Sequence, residues 1–478
     1  MKTLALFLAS LPVALAWPSV GPDYVQPDVA APDAYRDADD LGTWKTATPS
    51  DAFARGEWWM VFNDPTLDEL ELRALAANQD LRAAAARVMQ ARAAAGLARG
   101  AYWPQVAVGA SATRERNSTT TDNVFPNELT TTYRAPLEAS WEIDLFGRVR
   151  RLNEGARAEV EATAAAFESV KLALTADVAT NYFALIALEQ ELASVRDTIA
   201  LRRRAVDLIA ARVRSGTAAD LDLARAETEL AVTETEQAAL ARQRAAVLNA
   251  LAVLVGEPAS SFELKTASRP VAAPEIPVGL PSELLERRPD IAAAERALAA
   301  ANARIGVAKA AFFPAISLTG FAGRASGDID RLFDSDSRIW SIGPRLYLPI
   351  FQGGRNRANL ERSRGAYEEA VAEFRQRVLI AFREVQDALT ATKLLGEQTA
   401  AHERALEAAR RTATRAQTRY DAGFVSYLEV IDAQRSVHAL ERSEAQLAAQ
   451  RANARVALIK ALGGGWHALP QKPEFASR

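Results

Sequence analysis

Residues 133–148 read YRAPLEASWEIDLFGR, and this stretch decides the fold because its pattern changes from strand to helix. Apolar or small residues alternate with mostly polar ones from Tyr133 to Ile143. Period-two alternation of this length predicts a two-faced β-strand with one apolar face. The run that follows, Val149 to Arg214, contains no proline and predicts a very long helix.

The same order of patterns occurs a second time. A strand-like alternation from Trp340 to Ile350 precedes a second proline-free run, Arg355 to Asp421. Further correspondences keep the register: Tyr102-Trp103-Pro104 with Phe312-Phe313-Pro314, Leu145-Phe146-Gly147-Arg148 with Ile350-Phe351-Gln352-Gly353-Gly354-Arg355, Gly216 with Gly423, and Gly256 with Gly463. Self-similarity over so long a span indicates two copies of one unit.

Each copy is predicted to contain a helix, a β-hairpin and a long helical hairpin. The predicted helices are 67–99, 149–214 and 221–254 in the first copy, and 281–310, 355–421 and 428–462 in the second. The predicted domains are a signal peptide (1–16), an N-terminal periplasmic segment (17–66), the first repeat (67–280), the second repeat (281–465) and a C-terminal tail (466–478). The fold class is therefore α+β, built by duplication.

The N-terminus predicts export from the cytoplasm. A basic start and an apolar run, Leu4 to Leu15, precede Ala14-Leu15-Ala16, which has the small-x-small pattern of a cleavage site. No later stretch shows the ~20 consecutive apolar residues of a membrane-spanning helix. A membrane location then requires a closed β-barrel, because lipid satisfies no backbone hydrogen bonds.

Composition argues against several classes of function. The 57 basic and 60 acidic residues nearly cancel, so no basic field attracts nucleic acid. The chain has no cysteine, and His402, His438 and His467 lack the spacing of metal ligands. Nucleotide-binding and nucleophile motifs are missing from the sequence. We expect neither catalysis nor a cofactor.

Two strands per copy give about four per chain, which is too few to close a barrel. Three copies would supply ~12 strands, with apolar side chains facing outer-membrane lipid and polar ones lining a bore. The competing hypothesis is a soluble periplasmic helical adaptor or scaffold. It accounts for the leader and the long helices but leaves the two strand hairpins unexplained.

Several motifs resemble the TolC-type outer membrane factors, in the branch that includes OprM and the NodT-like efflux lipoproteins. They are Val20-Gly21-Pro22-Asp23-Tyr24, Tyr102-Trp103-Pro104, residues 141–147, residues 349–355, residues 428–435 and residues 461–466. The resemblance implies a homotrimeric, passive export duct with a twelve-stranded β-barrel in the outer membrane and an α-helical barrel in the periplasm. It also implies two partners, a periplasmic adaptor (membrane fusion) protein and an inner-membrane RND-type transporter for multidrug efflux.

One departure from that branch concerns anchoring. A lipid-modified cysteine usually precedes the Val-Gly-Pro-Asp-Tyr motif, whereas here Trp17-Pro18-Ser19 occupies the stretch. The departure affects anchoring more than conduction.

The best candidate for a functional site follows the second predicted turn. Leu428, Asp432 and Arg435 share one helix face, and the resemblance places the closed periplasmic gate on them. The first-copy counterparts are Leu221, Arg225 and Thr228, so the two copies are expected to play different roles. The two helix tips expected to meet the adaptor are Arg214-Ser215-Gly216-Thr217 and Asp421-Ala422-Gly423-Phe424. Without the resemblance, the Asp–Arg pair would be a solvated surface pair and the tips plain hairpin loops.

Overall fold

Long helices dominate the computed structural model, which describes residues 19–28, 56–118, 129–264 and 288–464. The predicted signal peptide and the C-terminal tail lie outside these residues. The helices are α1 Pro65–Ala77, α2 Gln79–Gly100, α3 Arg148–Arg214, α4 Asp220–Leu254, α5 Pro289–Ala310, α6 Arg355–Asp421 and α7 Tyr427–Ala461. The strands are β1 Gln105–Val108, β2 Ser111–Arg116, β3 Leu129–Ile143, β4 Ala315–Ser326 and β5 Arg338–Tyr347.

The four helices of the two long hairpins lie within one residue of their predicted bounds. The two longest, α3 and α6, each have 67 residues. At 1.5 Å per residue, each is ~100 Å long. Helices of this length cannot be stabilised by local propensity alone, so their apolar stripes must pack against other helices.

The prediction of one continuous helix over 67–99 was wrong, because the helix breaks at Asn78. This residue takes an extended conformation and ends α1. Its side-chain oxygen accepts a hydrogen bond from the backbone N–H of Leu81 at 2.9 Å, and its amide nitrogen donates to the carbonyl oxygen of Leu254 at 2.9 Å. One asparagine thus caps α2 and ties it to the end of α4, which offsets the cost of the break.

The predicted helix over 281–310 was wrong at its start. Helix α5 begins at Pro289, and Arg288 lies outside it. The residue before a proline is biased away from the helical conformation, whereas proline itself suits the first helical position. The earlier part of the predicted helix, 281–287, lies outside the described residues.

The chain divides into two compact units, and the first contains the sheet. It comprises residues 1–28, 87–164 and 293–374. All strand pairs are antiparallel, and their order is β1-β3-β4-β5, with β2 also paired to β3. Strands β1 and β2 are one strand position interrupted at Gly109 and Ala110, where the Gly109 N–H donates to the carbonyl oxygen of Pro136 at 2.9 Å. The sheet therefore has four strand positions, as predicted.

The register of the sheet confirms one apolar face. Residues directly opposite each other share a face, and Ala139 lies opposite Gly320, which in turn lies opposite Ile342. The shared face carries Val106, Val108, Ala112, Tyr133, Ala135, Leu137, Ala139, Trp141, Ile143, Ile316, Leu318, Gly320, Ala322, Trp340, Ile342, Pro344 and Leu346. Two details differ from prediction, since the alternation breaks at Ala110 and β5 ends at Tyr347, before Leu348 and Ile350.

The N-terminal segment Ser19–Asp28 packs inside the first unit. Its Val20 N–H donates to the carbonyl oxygen of Phe146 at 3.0 Å, and Asp23 pairs with Arg151 at 2.7 Å. Gly21 has a φ of 109°, and a Cβ added there would lie 2.5 Å from the Cα of Gly306. Only glycine fits this approach, which explains one residue of the Val-Gly-Pro-Asp-Tyr motif.

The second unit comprises residues 29–86, 165–292 and 375–478. A short 3-10 helix, Trp58–Phe62, supplies aromatic rings to its core. The ring of Phe62 lies 4.9 Å from that of Phe183, and the Trp58 indole N–H donates to the Thr175 hydroxyl at 3.0 Å. Such large buried rings contribute much of the apolar area that stabilises a core.

One described helix, α3, is long and apolar enough to cross a membrane by length and composition alone. The sequence-based prediction that no such stretch exists was therefore wrong on that criterion. In the structure, 61% of the apolar window is buried by protein. Packing inside the protein accounts for its composition, as in the core helix of a large domain.

Glu71 on α1 is fully buried, and neither of its carboxyl oxygens has a hydrogen-bond partner among the described residues. Burial, with a smaller contribution from Asp68, raises the pKa of Glu71 to about 10. The carboxyl is therefore neutral in the folded protein at pH 7.

We expect Glu71→Gln to remove a pH dependence of stability. The pKa is raised on folding, so the contribution of Glu71 is complete below its ordinary value of 4.5 and is lost as pH rises toward about 10. In that window the free energy of unfolding should fall by up to ~1.4 kcal/mol per pH unit. Thermal unfolding followed by circular dichroism at pH 6 and pH 9 measures this. An equal loss of stability in the wild type and the variant would contradict it.

Candidate functional site

The two helical hairpins turn with the same backbone geometry. Gly216 and Gly423 have φ values of 72° and 78°, in the left-handed region that glycine favours. The Thr217 N–H donates to the carbonyl oxygen of Arg212 at 2.8 Å, and the Phe424 N–H donates to that of Arg419 at 2.9 Å. These bonds close the helix ends in a Schellman arrangement. The tips at Arg214–Thr217 and Asp421–Phe424 thus lie where the sequence predicted turns, and all eight residues are exposed.

The first turns of α7 carry the three predicted gate residues on one exposed face. Leu428, Asp432 and Arg435 are all exposed. The opposite face is buried, where Tyr427, Val430 and Ile431 pack against Ile209 of α3 and Ala226 of α4. The sequence therefore predicted the face correctly, and the cluster behind it fixes the orientation of α7.

Arg435 makes a stronger contact than the predicted pair with Asp432. Its Nη1 lies 3.4 Å from Asp432 Oδ1, whereas its Nε donates to Glu229 Oε1 at 3.0 Å and its Nη2 also contacts that oxygen. Glu229 lies on α4 and is buried. Its other oxygen lies 3.2 Å from Arg202 Nη2, on α3. One buried carboxylate thus links three helices; we call the set Arg202, Glu229 and Arg435 the tip triad.

The electrostatics of the tip triad follow from burial. The hydrogen bond from Arg435 lowers the pKa of Glu229 and raises the pKa of Arg435. Burial lowers the pKa of Arg202, and the attraction of Glu229 only partly offsets it. The three groups remain charged at pH 7, and the arginine at the bottom depends on Glu229 for its compensation.

A second layer of charges joins the same three helices farther from the tips. Arg442 on α7 contacts Glu236 on α4, and its Nε lies 3.3 Å from Glu191 Oε2 on α3. His438 Nε2 lies 3.1 Å from Glu236 Oε2, and its Nδ1 lies 3.3 Å from the Thr198 hydroxyl. The layer continues the attachment of α7 to α3 and α4 beyond the tip triad.

Sequence reasoning missed Glu229, Arg202 and the second layer. A repeat alignment offers one clue, because Glu229 directly follows Thr228, the counterpart of Arg435. A buried charge at the position next to that counterpart is a reason to search for a partner across the hairpins. Nothing local in the sequence marks Arg202.

No metal site is found in the part of the chain that the structure describes. Groups of three or more His, Asp or Glu residues with suitable placement do not occur there. His402 Nε2 lies 3.0 Å from the carbonyl oxygen of Leu440, and His438 belongs to the second charged layer. His467 lies outside the described residues.

The fold and the site define an α+β membrane channel protein with long helical hairpins. Comparisons with known proteins agree. The outer membrane efflux protein family model matches the chain twice, at residues 72–257 and 280–464, as a duplicated chain requires. The toluene efflux pump outer membrane protein TtgF of Pseudomonas putida is 37% identical over 478 residues and is covered to 99%, as is this chain.

A second relative and a solved structure extend the comparison. The cation efflux system protein CusC of Escherichia coli O6:H1 is 34% identical over 95% of this chain and 97% of its own length. The solved outer-membrane channel OprN has a TM-score of 0.84 at 32% identity, over 94% of this chain and 99% of its own. The chain belongs to the outer membrane efflux protein family.

These findings confirm the predicted fold class, the outer-membrane location with a periplasmic extension, and the function as an efflux channel. They support the channel and not the soluble adaptor or scaffold. The family and the relatives are channel proteins. The comparisons do not assign roles to Leu428, Asp432 or Arg435.

Proposed function

We propose that three copies of this chain form a passive export duct for small molecules, closed at its periplasmic end by the start of α7. The observation that carries the proposal is the sheet. Among the described strands, β1 and β2 pair only with β3, and β5 pairs only with β4, so both edges of the sheet are open. Open edges and an exposed apolar face are not stable in lipid unless further strands close the sheet.

Three copies satisfy both edges. Each of the repeats, 67–280 and 281–465, contributes two strand positions, and three chains give ~12 strands around a water-filled bore. The outward face is then the apolar face described above. Cyclic contacts that close on themselves account for the ring without further components.

The tip triad supports a closed periplasmic end. It attaches α7 to α3 and α4, and so holds Leu428 and Asp432 in place on the exposed face. In a ring of three, Leu428 repeats three times around the axis and forms an apolar constriction. Release of Arg435 from Glu229 would free the start of α7 to move outward.

The exposed tips support contact with a periplasmic adaptor protein. Phe424 is 77% exposed at the second tip, and Leu221 is exposed beside the first. Apolar side chains at the end of a long hairpin mark a surface for another protein. We propose that this adaptor connects the duct to an inner-membrane transporter of the RND type, which supplies the energy for export.

We expect Arg435→Ala to raise single-channel conductance several-fold in planar bilayers and to sensitise cells to vancomycin, which an intact outer membrane excludes. Asp432→Ala should act in the same direction but less, because its contact with Arg435 is longer and exposed. Arg411→Ala is the control, since Arg411 pairs with Glu407 within α6 on the surface. Unchanged conductance and unchanged vancomycin sensitivity in both gate variants would refute the assignment.

A further inference from the structure

An aromatic stack joins the two repeats inside one chain. The rings of Phe146 and Phe313 lie 4.9 Å apart with an interplanar angle of 28°. Phe146 follows β3, the last strand of the first repeat, and Phe313 precedes β4, the first strand of the second. The stack therefore lies where two adjacent strands from different repeats meet, and it closes that junction.

The repeat assigns an equivalent position to each ring. Phe351 follows β5 as Phe146 follows β3, and Trp103 precedes β1 as Phe313 precedes β4. After each first ring the chain makes a left-handed glycine turn, at Gly147 in one repeat and at Gly353 and Gly354 in the other, before a 67-residue helix begins.

Both equivalent rings are exposed within a single chain. Phe351 is 88% exposed and Trp103 is 67% exposed. They flank the two open edges of the sheet, Trp103 beside β1 and Phe351 beside β5. The residues that pack together inside the chain at the junction between repeats thus have counterparts that remain unpacked at the ends of the sheet.

We propose that Phe351 of one copy stacks on Trp103 of a second copy, which repeats between chains the contact that Phe146 and Phe313 make within one. The inference rests on the proposed assembly of three copies and names the interface that joins them. Three stacks within chains would then alternate with three between chains around the ring. A second copy is the occupant because each exposed ring adjoins an open strand edge, and that edge needs a strand and not a lipid chain.

Cysteine cross-linking tests this contact without background, because the chain has no cysteine. The single variants Phe351→Cys and Trp103→Cys are produced in the same cells, and the outer membranes are treated with a short bifunctional maleimide. The mixture should yield covalent dimers on a denaturing gel, and the double variant should yield a ladder up to three chains. The matched control, Phe146→Cys with Phe313→Cys, should cross-link within one chain and add no higher bands.

Two further samples keep the test decisive. Gln352→Cys with Tyr102→Cys retains both aromatic rings and should give the same ladder if loss of a ring disturbs folding. Phe351→Cys with Leu97→Cys pairs two exposed positions for which no contact is proposed, and it should give no ladder.

An equal ladder from the pair with Leu97→Cys would overturn the inference. So would free labelling of the Phe351→Cys thiol by a membrane-partitioning maleimide in a sample that does not cross-link. If the wild type has the mass of three chains while the 351–103 and 352–102 pairs both fail to cross-link, the interface is wrong and the proposed duct stands.

Discussion

Replacing Ile342 by lysine is expected to keep the protein out of the outer membrane. Ile342 lies near the middle of β5, on the apolar face, and is 67% exposed. A lysine facing lipid near the bilayer midplane costs ~2–4 kcal/mol, and three copies per assembly would add to ~6–12 kcal/mol. That is comparable with the whole stability of many domains.

The neighbouring residue is a matched control. Ser341 lies opposite Phe321, on the other face of the same strand, which the proposed duct turns toward the bore. Ser341→Lys introduces the same charge one position away and should leave the amount of protein in the outer-membrane fraction nearly unchanged. Equal losses for the two lysine variants, measured by quantitative immunoblotting of separated membranes, would contradict the assignment of the two faces.

Replacing Glu229 by alanine is expected to open the periplasmic end and to destabilise the hairpins. The side chains of Glu229 and Arg202 are only 9% and 11% exposed. Removing one partner of a buried ion pair typically costs ~3–5 kcal/mol, because the other charge remains desolvated. Arg435 also loses its main contact. Glu229→Ala should therefore raise conductance more than Arg435→Ala does and lower the unfolding temperature as well.

A surface pair on the same helix provides the control. Arg203 and Glu234 lie 2.7 Å apart, with side chains 63% and 45% exposed. Exposed pairs of this kind contribute ~0–1 kcal/mol, so Glu234→Ala should change neither conductance nor unfolding temperature appreciably. Similar effects of the two alanine substitutions would contradict the role of the tip triad.

The same carboxylate gives the closure a pH dependence. The pKa of Glu229 is lowered below 4.5 in the folded protein, chiefly by the hydrogen bond from Arg435. Its contribution is therefore complete above 4.5 and is lost as pH falls through the lowered pKa. Wild-type conductance should rise in that acidic range, and Glu229→Ala should show no such rise.

Patterns of short period made most of the fold predictable. Alternation located the strands and the apolar face, since each side chain of a strand reports its own face. Proline-free runs ending at Gly216 and Gly423 located the long hairpins. The break at Asn78 was not predictable from its neighbours, because its stability comes from a hydrogen bond to Leu254.

The site was predictable only in part. Leu428, Asp432 and Arg435 share a helix face by spacing alone, so a sequence can group them. Glu229 lies 206 positions from Arg435, and no periodicity connects them. Their contact exists because the two hairpins pack together, and only the three-dimensional structure brings them within hydrogen-bonding distance.

The mass of the protein extracted from outer membranes, corrected for bound detergent, tests the central claim most directly. An open four-strand sheet with an apolar face must be closed by other copies, so we predict a particle close to three times 51.6 kDa. A stable particle with the mass of one chain, recovered from the soluble periplasmic fraction, would contradict the account.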